Sequence, residues 1–288
     1  MKKIRKPEIS EGRKNTGFFV VAGIGGAVMV LTAVVILLSI YLDYKGAEDT
    51  YAHLQEKYVV IKKVEIPADR GADRTQSQSR SPQEIPNQNR NQNPDWWYED
   101  VSIDFTRLQE ENPEIIGWIL FDNIEGLSYP ILYSGDNEKY LRTDIYGKST
   151  TAGCIFMEGA CTPDFEDCHT ILYGHNMRNS SMFGTLKQFK TKNFYDDHQY
   201  FTIYTKDGAC RYRVFSFYDV EENDSVYSVS FAPNEEFQQF VDKMAEKSYQ
   251  NTGITVSKED KVMTLSTCSV EGIRFVVHAL RIDKHPYK

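Results

Sequence analysis

Clustered positive charge is scarce in this sequence. Its 33 Lys and Arg residues are outnumbered by 41 Asp and Glu residues, so the formal net charge is −8. Outside the first 14 positions the basic residues are dispersed, whereas binding to a phosphate backbone needs a concentrated Lys/Arg surface. We therefore exclude nucleic acid as a partner.

Cysteine is also sparse, and its spacing does not match a metal site. The five cysteines are Cys154, Cys161, Cys168, Cys210 and Cys268. Six-residue gaps separate the first three, which with His169 form the nearest approach to a ligand set, whereas zinc sites use close pairs. We expect no bound metal. An odd count leaves at least one thiol unpaired, and the sequence leaves open whether Cys161 and Cys168 form a disulfide.

No charged residue interrupts residues 16–42, a run of 27. That exceeds the roughly 20 residues that cross a bilayer as a helix. A cleaved signal peptide would have an apolar region of only about 7–15 residues and a small-x-small site, which residues 39–43 do not offer. We predict an uncleaved single-pass anchor in the cell membrane. The basic residues before it predict a cytoplasmic tail over residues 1–15 and an extracellular location for the remainder.

Residues 43–95 hold little that could build a core. Mixed charge with scattered Tyr, Leu and Val over residues 43–66 indicates a juxtamembrane helix. Residues 67–94 are rich in Gln, Asn, Ser, Arg and Pro, and burial of such side chains cannot offset the entropy lost on ordering. We interpret residues 43–95 as a juxtamembrane segment and flexible linker, and residues 96–288 as one globular domain.

Short runs of β-branched and aromatic residues dominate that domain. They are bounded by Gly, Asn, Asp or Pro and predict eight strands, at residues 115–121, 129–133, 153–157, 170–173, 200–205, 210–218, 261–267 and 274–282. Eight such strands indicate a β-barrel or a sandwich.

Three helices are predicted around the strands. Two are short, at residues 105–111 and 182–189. The third follows Pro233 and an acidic pair, because its apolar side chains recur at i, i+3, i+4 and i+7. These four are expected to pack in the core: Phe237, Phe240, Val241 and Met244.

Cys268 and Arg274 are candidate catalytic residues, because they lie at the facing ends of two neighbouring predicted strands. Cys268 closes the predicted strand 261–267, and Arg274 opens the next strand after a five-residue loop, residues 269–273. A hairpin of this kind places both side chains near the same end of the sheet. A cation beside a thiol of reference pKa ~8.5 makes it a better nucleophile, and a guanidinium can hold an oxyanion.

One histidine is well placed as the acid/base. His175 follows Gly174 at the end of the predicted strand 170–173, and loops at strand ends are where catalytic groups tend to stand. His169, at the start of the same strand, is the second candidate. His278 lies within a strand, where a core histidine is expected. The remaining three lie in the juxtamembrane segment, on the surface and near the C-terminus: His53, His198 and His285.

Three segments in order resemble the sortase family. Residues 264–268, TLSTC, resemble the TLxTC signature, and residues 274–277, RFVV, the arginine-led strand that follows it. Residues 172–177, LYGHNM, resemble the histidine segment of class B sortases, whose long helix fits residues 234–248. The resemblance covers residues 96–282 and implies a mainly β fold. That fold is a closed eight-stranded sortase-type β-barrel with peripheral helices, here preceded by an N-terminal transmembrane helix.

The resemblance also implies roles for individual residues. Cys268 becomes the nucleophile, His175 its acid/base partner, and Arg274 the group that holds the oxyanion or orients the substrate.

Three further positions resemble substrate contacts of class B enzymes. Residues 136–141, DNEKYL, resemble their DNxxYL segment and implicate Asn137 and Leu141, while Ser266 lies within the signature. Asn137 has an alternative role as a helix cap. The five-residue loop and Ser269 depart from familiar members, which leaves the recognised sorting motif open.

The reaction implied is transpeptidation without a metal or organic cofactor. Secreted proteins with a C-terminal sorting signal would be cleaved after Thr through a thioacyl-enzyme and joined to an amine of a peptidoglycan precursor. Two enzymatic alternatives keep the same residues, namely pilin polymerisation onto a lysine and simple hydrolysis. The non-enzymatic alternative is a tethered structural or binding protein in which Cys268 is inert.

Overall fold

The computed structural model describes residues 14–62, 95–124, 126–270 and 272–287, with the backbone alone at residues 14–23 and 268–270. Nearly all of the predicted basic tail, and the predicted flexible linker from residue 63 to residue 94, lie outside these ranges. The chain divides into two compact units, Met1–Gly46 and Ala47–Lys288.

A single long helix, α1 (Lys14–Tyr58), contains the apolar run. Its most apolar 18-residue stretch has a mean hydropathy of 2.4 and buries none of its residues. This helix is therefore long and apolar enough to cross a membrane.

The predicted juxtamembrane helix, whose length the sequence left open, forms the last part of α1. It ends at Tyr58, because the β-branched residues that follow form strand β1 (Val59–Ile61), which pairs antiparallel with β2 (Val101–Ile103).

A closed eight-stranded barrel forms the body of the second unit. Its strands in chain order are β3 (Ile115–Phe121), β4 (Ser128–Leu132), β5 (Ile155–Met157), β6 (His169–Tyr173), β7 (Tyr200–Thr205), β8 (Gly208–Glu221), β9 (Val262–Val270) and β10 (Ile273–Pro286). The spatial order is β10-β8-β7-β3-β4-β5-β6-β9, and the pairing of β9 with β10 closes it. The β4–β5 and β6–β9 pairs are parallel, and the other pairs are antiparallel.

All eight predicted strands are present, and the barrel is confirmed over the sandwich. The bounds of β3 and β7 agree with the prediction. Strands β8 and β10 are longer than predicted, because they pair with each other from Ile273–Glu221 to Pro286–Gly208. The ends of these strands contain polar residues, whose local composition does not predict a strand, and the long pairing holds them in strand conformation.

Short helices surround the barrel: α2 (Trp96–Glu99), α3 (Phe105–Glu111), α4 (Phe194–Asp197) and α5 (Glu235–Glu246). Helix α5 begins where the Asn234 carboxamide accepts hydrogen bonds from the backbone of Glu236 and Phe237.

The predicted apolar stripe of α5 packs in the core. Its members Phe237, Val241 and Met244 are buried against Phe215 of β8 and Val262 of β9, with Phe240 partly buried beside them. This burial removes large apolar side chains from water and fixes the helix on the barrel.

The second predicted helix is not α-helical. Residues 182–189 were expected to form a helix, whereas the structure has a 3₁₀ helix at Gly184–Lys190. Met182 cannot begin a helix there because its φ is 54°, in the left-handed region.

A chain of buried polar groups connects β6, β9 and β10. His169 Nδ1 lies 2.7 Å from the Ser228 carbonyl oxygen, its Nε2 2.6 Å from Thr264 Oγ1, and that oxygen 2.8 Å from His278 Nδ1. A carbonyl only accepts, so His169 Nδ1 donates to it. With one proton on each ring, Nε2 of His169 accepts from the Thr264 hydroxyl and His278 Nδ1 donates to that oxygen.

Burial disfavours charge on both rings. Desolvation lowers the pKa of His169 to about 4 and that of His278 well below its usual value. His278 is the core histidine that its strand position predicts. His169 is committed to the same network.

We predict that the free energy of unfolding falls on acidification between pH 6.5 and about 4. The folded pKa of His169 lies below the unfolded value near 6.5, so the unfolded state binds more protons in that interval. The His169 contribution should be about 2 kcal/mol between pH 7 and pH 5. Chemical denaturation of the full chain in detergent micelles, followed by near-UV circular dichroism, measures it.

The matched variants are His169→Gln and His198→Gln. The first removes the titrating ring and should flatten the pH dependence. The second changes a half-buried histidine outside this network and should retain it. Equal unfolding free energies at pH 7 and pH 5 for the unaltered chain would contradict this account of the two rings.

Candidate active site

A cavity of about 540 Å³ opens at one rim of the barrel. It lies where β6, β8 and β9 end and β10 begins. Five of the six residues selected from the sequence line it, namely Asn137, Leu141, His175, Ser266 and Arg274. The sixth, Cys268, lies two residues beyond Ser266 on β9, and its side chain is outside the described part of the structure.

Strand pairing explains why residues so distant in sequence share this rim. Strand β9 pairs parallel with β6, with Ser266 opposite Tyr173, and the Gly174 amide donates to the Ser266 carbonyl at 3.1 Å. On its other edge β9 pairs antiparallel with β10, with Cys268 opposite Arg274. The backbone of residue 268 is therefore bracketed by the strand that precedes His175 and the strand that carries Arg274.

The predicted five-residue loop between β9 and β10 is wrong in extent. Strand β9 continues to Val270 and β10 begins at Ile273, so the turn is tight and Gly272 occupies it at φ 73°. Val270 pairs with Ile273 and Cys268 with Arg274, which leaves one extra residue on β9. This β-bulge lies directly after Cys268, a position where bulges commonly re-aim an active-site residue.

His175 is held in one tautomer. Its Nε2 donates to the Leu141 carbonyl oxygen at 2.7 Å, so Nδ1 is the nitrogen with the lone pair. Burial lowers the pKa of His175, the Leu141 carbonyl raises it, and Arg142 and Arg274 lower it. The ring is therefore biased toward the neutral form, which can accept a proton at Nδ1.

Arg274 is half-buried at the cavity wall and paired with one carboxylate. Its Nη2 donates to Glu222 Oε2 at 2.9 Å. A guanidinium has five N–H donors in a planar fork. Its remaining donors can bind a carbonyl oxygen or an anion in the cavity.

Asn137 is not a helix cap. The turn before the 3₁₀ helix Lys139–Leu141 is capped by Asp136, whose carboxylate accepts from the Glu138 and Lys139 amides at 2.7 and 2.8 Å. The carboxamide of Asn137 points elsewhere, so the capping alternative fails.

The contacts of Asn137 fix it at the cavity wall. Its Nδ2 donates to Glu158 Oε1 at 2.7 Å, and its Oδ1 accepts from the Gly159 amide at 2.8 Å. The other oxygen of Glu158 accepts from the Tyr173 hydroxyl at 2.7 Å. One carboxylate thus orients two cavity-lining side chains that come from different elements.

Sequence reasoning missed several residues of this site. Tyr173 belongs to the LYGHNM segment and Thr267 to TLSTC, so the motifs contained both without indicating a role. Glu158 and Glu222 follow strands β5 and β8 with no pattern of their own. Their contacts span 21 and 52 residues of sequence, a separation that local patterns do not encode.

Thr267 has an unusual hydroxyl. The residue is 2% exposed and lines the cavity, and among the described residues its Oγ1 has no hydrogen-bond partner. The neighbouring Ser266 hydroxyl, by contrast, lies 3.0 Å from the Tyr227 hydroxyl.

The other four cysteines are buried free thiols. Cys161 and Cys168 are not bridged; the Cys161 thiol lies against the His169 carbonyl and Cys168 packs in the core with α5. Within the described ranges no group of three or more His, Cys, Asp or Glu side chains could hold a metal ion.

Comparison with known proteins agrees with this geometry. A family model described as the sortase domain matches residues 122–282. Sortase B of Staphylococcus aureus is 33% identical over 170 residues, which are 59% of this chain and 69% of that protein. Sortase B of Listeria monocytogenes is 32% identical over 174 residues, 60% of this chain and 70% of that protein.

Solved structures give the same result. Sortase B from Bacillus anthracis superposes with a TM-score of 0.65 at 30% identity, covering 85% of this chain and all of that one. A sortase B–substrate complex from Staphylococcus aureus gives 0.58 at 31% identity, covering 62% of this chain and 85% of that one. With the barrel and the cavity on its rim, these matches establish that the chain belongs to the sortase family, as a cysteine transpeptidase of class B.

Proposed function

We propose that this protein is a membrane-anchored transpeptidase that cleaves the C-terminal sorting signal of secreted proteins after Thr and transfers the acyl group to a peptidoglycan amine. The proposal rests on one observation: the three candidate catalytic residues come from elements that meet at the same rim of the barrel. His175 and Arg274 line one cavity, and the strand between them carries Cys268. Family membership supplies the reaction class, and the residue roles are our assignment.

Acylation begins with proton transfer from the Cys268 thiol to His175. The neutral ring, with its Nε2–H fixed on Leu141, takes that proton at Nδ1 and becomes an imidazolium. The thiolate then attacks the carbonyl carbon of the substrate Thr. Arg274 stabilises the negative charge that develops on the carbonyl oxygen.

Collapse of this intermediate breaks the peptide bond. The imidazolium of His175 gives its proton to the leaving amine, and the acyl group stays on the sulfur as a thioester. An acceptor amine then attacks the thioester and gives a proton to His175. The Cys268 thiolate leaves, is reprotonated, and the product holds a new amide bond.

Substrate contacts are assigned to the cavity wall. Leu141 and Phe156 offer apolar surface, while Asn137 and Ser266 offer polar groups held by Glu158 and Tyr227. A wall of this composition can bind an extended peptide through both side-chain and backbone contacts. The sorting signal is thus proposed to lie across these residues with its Thr carbonyl toward Arg274.

The apolar helix is the basis for the proposed location of the protein. We propose that residues 16–42 span the cell membrane once, with the tail at residues 1–15 in the cytoplasm and the catalytic domain at residues 96–288 outside. Residues 43–95 would act as spacer and linker. Secreted substrates and lipid-linked peptidoglycan precursors both meet an enzyme anchored there, which supports the wall amine as acceptor.

We predict that the full chain in detergent micelles joins a Thr-containing sorting peptide to a peptidoglycan stem-peptide amine. A library of C-terminal signals is mixed with that amine or with a pilin-type lysine peptide, and mass spectrometry identifies the products. The wall amine should give the faster amide formation and should raise turnover above hydrolysis. Cys268→Ala should form neither thioester nor product while its melting temperature stays close to that of the unaltered chain.

Preference for the lysine peptide would assign pilus assembly instead. Turnover that no amine increases would assign hydrolysis. Product from Cys268→Ala would contradict the nucleophile.

We predict that Arg274→Lys lowers kcat/KM by about 100-fold, because lysine retains the charge but loses the planar fork that holds Glu222 and an oxyanion together. Arg213→Lys is the matched control: Arg213 is also half-buried and also donates to a polar side chain, that of Gln199, but does not line the cavity. Steady-state rates of peptide cleavage measure both. Unchanged turnover in Arg274→Lys would restrict Arg274 to a structural role.

A further inference from the structure

We propose that Tyr51, near the end of α1, is a positioning residue for His175: its hydroxyl holds Gly153 against the carbonyl that fixes the imidazole. This inference rests on the proposed function only in taking His175 as the acid/base. The contact is internal to the second unit, which begins at Ala47.

Tyr51 is locked in place on the barrel. It is 4% exposed, and its hydroxyl donates to the Gly153 carbonyl oxygen at 2.6 Å. One and two turns further along the helix, Leu54 and Tyr58 are also buried, and the Tyr58 hydroxyl bonds Glu111. The last turns of α1 are therefore built into the domain through both packing and hydrogen bonds.

Gly153 transmits this contact because it packs against the turn that carries the Leu141 carbonyl, with no room for a side chain between them. Its φ is 56°, and a Cβ at this position would lie 2.7 Å from the Tyr140 carbonyl oxygen and 2.8 Å from that of Leu141. The Cys154 amide donates to the same Tyr140 oxygen at 3.0 Å. A shift of Gly153 therefore moves the turn that presents the Leu141 carbonyl.

The Leu141 carbonyl is the group that fixes His175. Its 2.7 Å bond from Nε2 sets the tautomer and the direction of the ring. It also opposes the effect of burial on the pKa of His175, whereas Arg142 and Arg274, the charged groups that act on the ring, lower that pKa. Loosening this bond would make His175 a weaker base.

A second series of contacts connects Tyr51 to the backbone of His175. The Tyr51 ring packs edge-on against Tyr129, with centroids 5.4 Å apart, and the Tyr129 hydroxyl accepts from the Met182 amide at 2.9 Å. Met182 precedes Phe183, whose amide donates to the His175 carbonyl at 3.0 Å. Tyr51 thus supports both the acceptor of the ring and the loop that carries it.

The test uses Tyr51→Phe, which removes the hydroxyl and leaves the ring to pack. Tyr195→Phe is the matched control, because Tyr195 is also buried and its hydroxyl also donates to a backbone carbonyl, that of Val214 at 3.0 Å, away from the cavity. The full chain is labelled with ¹³C-histidine in detergent micelles, and the His175 signal is identified by its loss in His175→Gln. Titration by NMR then gives the pKa of His175 without any substrate.

We predict that Tyr51→Phe lowers the pKa of His175 by several tenths of a pH unit and kcat by about tenfold, with the KM for peptide unchanged. The acidic limb of the pH profile should shift by the same amount as the NMR titration. Tyr195→Phe should change none of these quantities even if its melting temperature falls as far.

An unchanged His175 titration in Tyr51→Phe would overturn the positioning role. A shifted titration in a chain that joins no peptide to any amine would keep the positioning role and reject the proposed transpeptidation. The two failures are therefore distinguishable.

Discussion

Strand β9 is the element on which the site depends, because both of its edges are paired at the cavity rim. Its parallel pairing with β6 places Ser266 beside Tyr173 and Gly174, and its antiparallel pairing with β10 places Cys268 beside Arg274. A one-residue slip in either register would turn alternate side chains to the opposite face of the sheet. The barrel closure at β9–β10 is therefore also the condition for the proposed chemistry.

Burial and nearby positive charge act in the same direction on the pKa of His175, and one backbone hydrogen bond opposes them. Desolvation and two nearby guanidinium groups favour a neutral His175, while one backbone carbonyl favours its protonation. Arg274 is kept beside the cavity by Glu222 rather than left in solvent. In the proposed mechanism, neutral His175 takes the proton of the attacking thiol and Arg274 stabilises the oxyanion.

Local sequence patterns predicted much of the fold. Strands β3 and β7, helix α3 and the apolar stripe of α5 follow from short-range composition and spacing. The hairpin formed by β9 and β10 was predicted, but its tight turn and the 3₁₀ helix at Gly184–Lys190 were not, because tight turns and left-handed residues depend on what packs beside them. The full length of β10 was not predicted, because it depends on pairing with β8, which is distant in sequence.

The candidate site likewise contains residues that the sequence predicted and residues that only the structure revealed. His175, Arg274, Asn137, Leu141 and Ser266 were selected from position and motif, and they do line one cavity. Their catalytic and substrate-binding roles stay predictions. Glu158, Glu222 and Tyr51 could not be found in advance, because each acts through a contact across 21 to 102 residues of sequence.

The central claim is that Cys268 is an activated nucleophile, and alkylation of the folded full chain by iodoacetamide tests it most directly. The other four cysteines serve as internal controls. Cys154, Cys161, Cys168 and Cys210 are between 0% and 7% exposed. The account predicts that peptide mass spectrometry finds rapid modification at Cys268 alone, slowed in His175→Gln, with the other four modified only after denaturation. Modification of Cys268 no faster than that of the four buried thiols would contradict it.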